Sequence, residues 1–233
     1  MFKSPWLRVI FASHLLVKEQ KTNMSGYHSK RGYSQSGHTK KANYLTDRRI
    51  NLVLRYLETL SFDKRNKVIF LLSCRAGLRA KEISKLEWHN VLDNDQEKIG
   101  DRISVYNNQS KGNTGGRVMY MNKDLKVALQ DLYDSLEVKP RLTNAVALNC
   151  RKQRISANGI VKLFFYWYKD LELVGYSSHS GRRTFITNMA RTASLHGGSI
   201  QDVRNLAGHS SLESTEAYIE NNPEAQRAMV GAA

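Results

Sequence analysis

The 233-residue chain predicts an α+β fold, mainly α-helical with a small antiparallel sheet. Three observations carry that expectation. Apolar residues recur at helical spacing in successive segments, several opened by Ser or Thr and closed by Gly. Two short segments, RISVY and RVMYM, alternate instead in the manner of strands. Between them lies NNQSKGNTGG, whose Asn, Ser and Gly content is that of a hairpin loop.

Order is expected from Tyr44, so residues 1–43 read as a flexible basic arm and 44–233 as one domain, with a tail over 220–233. The segment 18–43 is basic, rich in Ser and Gly and nearly without aliphatic residues. Lys40 and Lys41 at its end are candidate contacts to a phosphate backbone, and Met24 is an alternative start. Upstream, PWLRVIFASHLLV is too short to span a bilayer, is broken by Arg8 and His14, and lacks a small-residue cleavage site.

Thr46 is placed to cap a helix carrying Ile50, Val53, Leu54 and Leu57 on one face. A second apolar helix is expected over about Asn66 to Ala76, with Gly77 ending it and Arg79 directly after. AKEISKLEW reads as a third helix, with Ile83 and Leu86 inward and Glu82 three residues beyond Arg79. After the hairpin come a helix at about Lys123–Leu136, a weak strand near Ala145–Leu148, and an aromatic helix, ANGIVKLFFYWYKDLEL, capped by Ser156. Its Phe164, Phe165, Trp167 and Tyr168 can stack on bases, but aromatics at helical spacing are ordinarily core and receive no functional role here. Asn221-Asn222-Pro223 breaks the chain, and PEAQRAMV can form a last short helix.

The formal charge of +15 and pI near 9.9 on a chain that is 41% hydrophobic favour a polyanionic partner, because each neutralised phosphate releases counterions. Nucleic acid fits better than a membrane surface, although a ribosomal protein would carry similar charge. Cys74 and Cys150 have no metal spacing and form no disulfide framework, so a reducing compartment is the default. No metal-ligand set and no phosphate-binding glycine loop is evident, and no cofactor is expected.

The stretch from His179 to Tyr218 brings together His179 and His209, the adjacent Arg182 and Arg183, and a late tyrosine, Tyr218. Ser177 or Ser178 can cap a helix holding Phe185, Ile186, Met189 and Ala190, which places His179 and Arg182 on one face near its positive end. Ser199 caps the next helix, with Ile200, Val203 and Leu206 inward, and Gly208 ends it in a left-handed conformation. His209 then occupies a tight turn, and a third helix from about Leu212 carries Tyr218 late in it. Singly, each residue has an ordinary structural reading; together they compose a phosphate site.

Four segments, AGLRAKEISKLEW, SKGNTGGRVMYM, HSGRRTFIT and LAGHSSLESTEAY, resemble in order and spacing the catalytic domain of the tyrosine recombinases, also called the phage integrase family. An H-x-x-R alone is weak. An Arg in A-G-x-R-x-x-E-I, a hairpin Lys, H-x-x-R, and L-x-G-H with a Tyr nine residues past that His form a specific set. The resemblance covers Tyr44 to Ala233. It implies that Arg79 and Arg182 clamp the non-bridging oxygens of a scissile DNA phosphate and that Lys111 protonates the leaving 5′ oxygen. It further implies that His179 assists proton transfer, His209 hydrogen-bonds the phosphate, Tyr218 is the nucleophile, and Glu82 braces the site from behind. Arg183, next to Arg182, is a further candidate DNA contact.

The residue types suit the chemistry independently of any family. Guanidiniums give paired hydrogen bonds that neutralise charge growing on phosphoryl oxygens. A phenol of ordinary pKa about 10 needs a cationic surround or a base before it attacks. A lysine near phosphate can supply the proton an alkoxide requires. Two arginines and a lysine can do the electrostatic work that a metal ion does in many phosphoryl transferases, and the covalent 3′-phosphotyrosine that the resemblance implies would store the bond energy, so neither metal nor ATP is needed.

The resemblance thus implies a site-specific recombinase acting on double-stranded DNA, as a tetramer assembled on two duplexes, with accessory DNA-bending proteins as further partners and a cytoplasmic, nucleoid-associated setting. The C-terminal helix is expected to dock on a neighbour. Most members carry a helical core-binding domain of around a hundred residues ahead of the catalytic one, where about forty residues precede Tyr44 here; the small recombinases that invert fimbrial promoters also lack it. Two other readings stay open: a DNA-binding remnant that no longer cleaves, and a type IB topoisomerase, which shares the phosphotyrosine chemistry without pairing sites.

Overall fold

A computed structural model describes residues 42–106 and 116–218, together with 227, 230 and 231. Lys40 and Lys41 of the arm, Lys111 of the hairpin loop and most of the helix expected after Pro223 lie outside the described residues.

The helices are α1 (Asp47–Glu58), α2 (Asp63–Cys74), α3 (Ala80–Lys85), α4 (Lys123–Asp134), α5 (Ala157–Asp170), α6 (Ser180–Thr192), α7 (Ile200–Ala207) and α8 (Glu213–Glu216). Strands β1 (Arg102–Val105) and β2 (Arg117–Tyr120) pair antiparallel, with Arg102 opposite Tyr120 and Val105 opposite Arg117. The mixed, mainly helical fold with its two-stranded sheet is the expected one.

Helix α2 is the axis of the core. Val68, Ile69, Phe70, Leu71, Leu72 and Cys74 are all buried, so over residues 68–74 the helix is covered on all sides, packed against α1, α4 and α6. Truncating Leu72 to Ala would cost about 2–5 kcal/mol through lost transfer energy and an unfilled cavity. A separate, smaller cluster of Phe185, Ile186, Val203 and Ala207 joins α6 to α7 and reaches Tyr218. An eight-residue helix such as α7 does not hold alone in water. It is held by that cluster and by Ser199, whose backbone N–H donates to Asp202 Oδ2 at 2.8 Å.

Several boundaries differ from expectation, each for a local reason. Helix α2 starts three residues early, behind Phe62 in a left-handed conformation (φ 61°), a geometry that favours Gly and Asn and gives no signal in a Phe. Helix α3 stops at Lys85 because Leu86 turns extended and its carbonyl accepts from Val146 N–H at 3.0 Å. The segment 145–148 is not a strand; it makes isolated bridges to Glu87 and Arg154. On α5, Phe164, Trp167 and Tyr168 are core, but Phe165 faces outward and is 58% exposed.

Candidate active site

Three loops and one strand meet at the ends of α3, α6 and α7. Gly77, at φ 64°, turns the chain out of α2, and a side chain there would strike the Phe185 ring. The turn delivers Arg79 to the N-cap of α3. Glu82, 1% exposed, reaches back from the first turn; it accepts from Arg79 N–H at 2.8 Å and from Arg79 Nη1 at 3.2 Å.

The same carboxylate is forked by Arg117, the first residue of β2. Arg117 Nη1 donates to Oε1 at 2.9 Å and Nη2 to Oε2 at 3.0 Å. Burial alone would raise the Glu82 carboxyl, but the Arg117 fork, then the Arg79 N–H and guanidinium, hold it below the usual carboxylate value. Arg182 on α6, 3% exposed, donates through Nη1 to Gly77 O at 2.6 Å and through Nη2 to Ala207 O at 2.7 Å. It therefore ties the loop before Arg79 to the end of α7, and each of those nitrogens carries a second N–H.

Gly208 closes α7 at φ 62° and lies against Arg117: a Cβ there would sit 2.7 Å from Nη1 and 3.1 Å from Cζ. His209 follows in the turn. Its Nδ1 is 2.9 Å from Thr215 Oγ1, and its ring stacks on Tyr218 with centroids 5.6 Å apart and planes at 26°. Thr187 Oγ1 donates to the Tyr218 carbonyl at 3.4 Å, and the half-buried Tyr218 ring rests against the small α6–α7 cluster.

The electrostatics mark a place where cations outnumber anions. His209 is pushed down to about 4 by burial first and then by Arg182, Arg79 and Arg117, with Glu82 opposing. Arg182 is held below the ordinary guanidinium value by burial, then by Arg79 and Arg117. Three guanidiniums face one carboxylate, so a tetrahedral anion entering here meets donors with an uncompensated positive field.

Arg79, Glu82, Arg182, His209 and Tyr218 are thus brought together. His179 is the N-cap of α6, three residues before Arg182 and in helical backbone conformation (φ −87°, ψ −14°), its carbonyl accepting from Arg183 N–H at 2.9 Å; it is exposed, with its backbone N–H donating to Ser177 Oγ at 3.3 Å, while Arg182 turns inward. Tyr218 is not within a helix either, since α8 ends at Glu216 and Tyr218 sits in the following turn. Arg183 Nη1 donates to Ala42 O at 2.9 Å, holding the entry of the chain. Arg117 was missed from the sequence, although a signal existed: it alternates with exposed Val118 onto the side of buried Met119, an inward strand position where a charge requires a partner. Among the described residues no cluster of His, Cys, Asp and Glu could hold a metal ion, and no helix is long and apolar enough to cross a membrane.

The model of the phage integrase family matches residues 43–225. The chain belongs to that family. The tyrosine recombinase XerC of Pelotomaculum thermopropionicum is 34% identical over 82 residues, which are 35% of this chain and 26% of that protein. Among solved structures, the XerA recombinase aligns with a TM-score of 0.60 at 23% identity, covering 81% of this chain and 64% of its own. The Tn1549 transposon integrase in complex with transposon right end DNA aligns at 0.64 and 18% identity, covering 81% of this chain and 65% of its own. These structural likenesses establish the integrase-family catalytic fold, and this chain spans less than two thirds of each of those proteins.

Proposed function

We propose that this integrase-family chain is a site-specific DNA recombinase that breaks and rejoins strands through a covalent 3′-phosphotyrosyl intermediate on Tyr218. The Tyr218 oxygen attacks the scissile phosphorus, the bond to the 5′ oxygen breaks, and Lys111 delivers the proton that oxygen needs. In the reverse step a 5′ hydroxyl attacks the phosphotyrosine and the phenol leaves. Arg79 and Arg182 stabilise the charge on the non-bridging oxygens, His209 donates to one of them, and His179 assists proton transfer at the phenol. Burial and the neighbouring guanidiniums hold His209 well below the ordinary imidazole value, which favours the neutral ring, and a neutral ring still carries one N–H to donate. The grouping of Arg79, Arg182 and His209 beside the half-buried Tyr218 ring, with Glu82 as their sole nearby carboxylate among the described residues, carries this reading.

Double-stranded DNA is the substrate, and strand exchange requires several protomers on two duplexes, so the active form is an oligomer assembled on DNA. The net charge of +15 supplies the salt-dependent part of binding. The test is a nicked suicide duplex bearing a site selected from randomised DNA. A covalent adduct at one sequence, absent in Tyr218→Phe, is the expected result. Binding without adduct would make the chain a non-cleaving remnant, and trapping at unrelated sequences would make it topoisomerase-like.

A further inference from the structure

Arg117 has no role in the chemistry above, yet its side chain meets both the buried carboxylate behind Arg79 and the turn that leads into His209. It holds both oxygens of Glu82, at 2.9 and 3.0 Å, and its guanidinium flanks Gly208, the residue before His209. Glu82 is left with one contact to the Arg79 guanidinium, through Nη1 alone at 3.2 Å, and Arg79 stays 26% exposed. A buried carboxylate three residues along a helix from an arginine would ordinarily draw that arginine into a fork of its own.

We propose that Arg117 is a positioning residue that saturates Glu82 and so keeps the carboxylate from capturing Arg79, leaving the Arg79 donors directed at phosphate. Only an arginine suits the task. A planar fork engages both oxygens at once, whereas a lysine would satisfy one and leave the other to compete for Arg79. The contact with Gly208 gives the same side chain a second effect, because it fixes the height of the turn that carries His209. Arg182, bonded to Gly77 O and Ala207 O, ties the same two loops from the other side.

This inference rests on the recombinase reading, and its test separates the two. Arg117→Met frees Glu82 to fork Arg79, so adduct formation on the selected suicide duplex falls roughly 100-fold, the size of losing one donor to the developing charge. Adding Glu82→Gln to Arg117→Met removes the competing charge and recovers at least tenfold of that loss; a merely structural role would make the double variant worse. Arg117→Lys falls between wild type and Arg117→Met. In parallel, the 15N NMR signal of Arg79 Nε is followed during titration with inorganic sulfate: it responds in wild type and in the double variant and is silent in Arg117→Met. A double variant no faster than Arg117→Met, or an equal sulfate response in all three proteins, overturns the role of Arg117. A wild type that forms no adduct while the sulfate order holds overturns the recombinase reading and leaves the Arg117 assignment standing.

Discussion

Replacing Glu82 should unfold this protein far more readily than its position in a six-residue helix suggests. Its side chain is 1% exposed and accepts four hydrogen bonds, two from Arg117 at 2.9 and 3.0 Å and two from Arg79 at 2.8 and 3.2 Å. Glu82→Ala leaves Arg117, whose side chain is only 11% exposed, as an uncompensated charge beside two other guanidiniums. Breaking a buried pair from one side costs about 3–5 kcal/mol. Losing the reach back to the N-cap of α3 adds about 1 kcal/mol. Because the guanidiniums are not wholly dry, a net loss of about 4 kcal/mol is expected. At a urea slope of about 2–3 kcal/mol/M, the midpoint moves down by roughly 1.5–2 M. Glu82→Gln keeps one acceptor for the Arg79 N–H and should lose about half as much. Urea unfolding of the full chain followed by circular dichroism measures both, and a loss below about 1 kcal/mol for Glu82→Ala would refute the view that this carboxylate holds the cationic cluster together.

Other expectations follow from the same geometry. His209 in the folded chain sits at about 4 against an ordinary 6.5, so the unfolded chain takes up the proton first. Stability is therefore level above pH 6.5, declines as pH falls from 6.5 to 4, and levels again below, by on the order of 1–3 kcal/mol once partial solvent screening is allowed for. His209→Gln should flatten that part of the stability profile, and an unchanged slope contradicts the assignment. Gly208→Ala forces a left-handed alanine (φ 62°) with its Cβ 2.7 Å from Arg117 Nη1, so thermal unfolding should report a loss of about 1–2 kcal/mol, with slower adduct formation. Deleting residues 224–233 should weaken the pairing of two DNA sites in a gel-shift assay while single-site binding persists; unchanged pairing would remove the expected role of the C-terminal helix.

Much of the frame could be read in advance because short-range chemistry sets it. Thr46 and Ser156 accept from the N–H groups of Arg49 and Gly159, and Gly77 and Gly208 take the left-handed turns their positions required. Arg79, Glu82, Arg182, His209 and Tyr218 were found through motif spacing, which local turns preserve. What escaped was decided by tertiary contacts. Leu86 leaves its helix to pair with the segment at Val146, and Phe62 adopts a backbone that no propensity assigns to it. His179, three residues before Arg182, takes the N-cap of α6 in place of the expected Ser177 or Ser178, and it stays exposed. Arg117 shares the inward face of its strand with Met119, an alternation present in RVMYM, but no motif spacing singles that arginine out.

The whole interpretation turns on one bond between the protein and its substrate. Trapped protein–DNA complex, digested with protease and nuclease and sequenced by mass spectrometry, should yield a single nucleotide-bearing peptide with the phosphate on Tyr218. A modified peptide at another residue, or an adduct that persists when Tyr218 is phenylalanine, would contradict it.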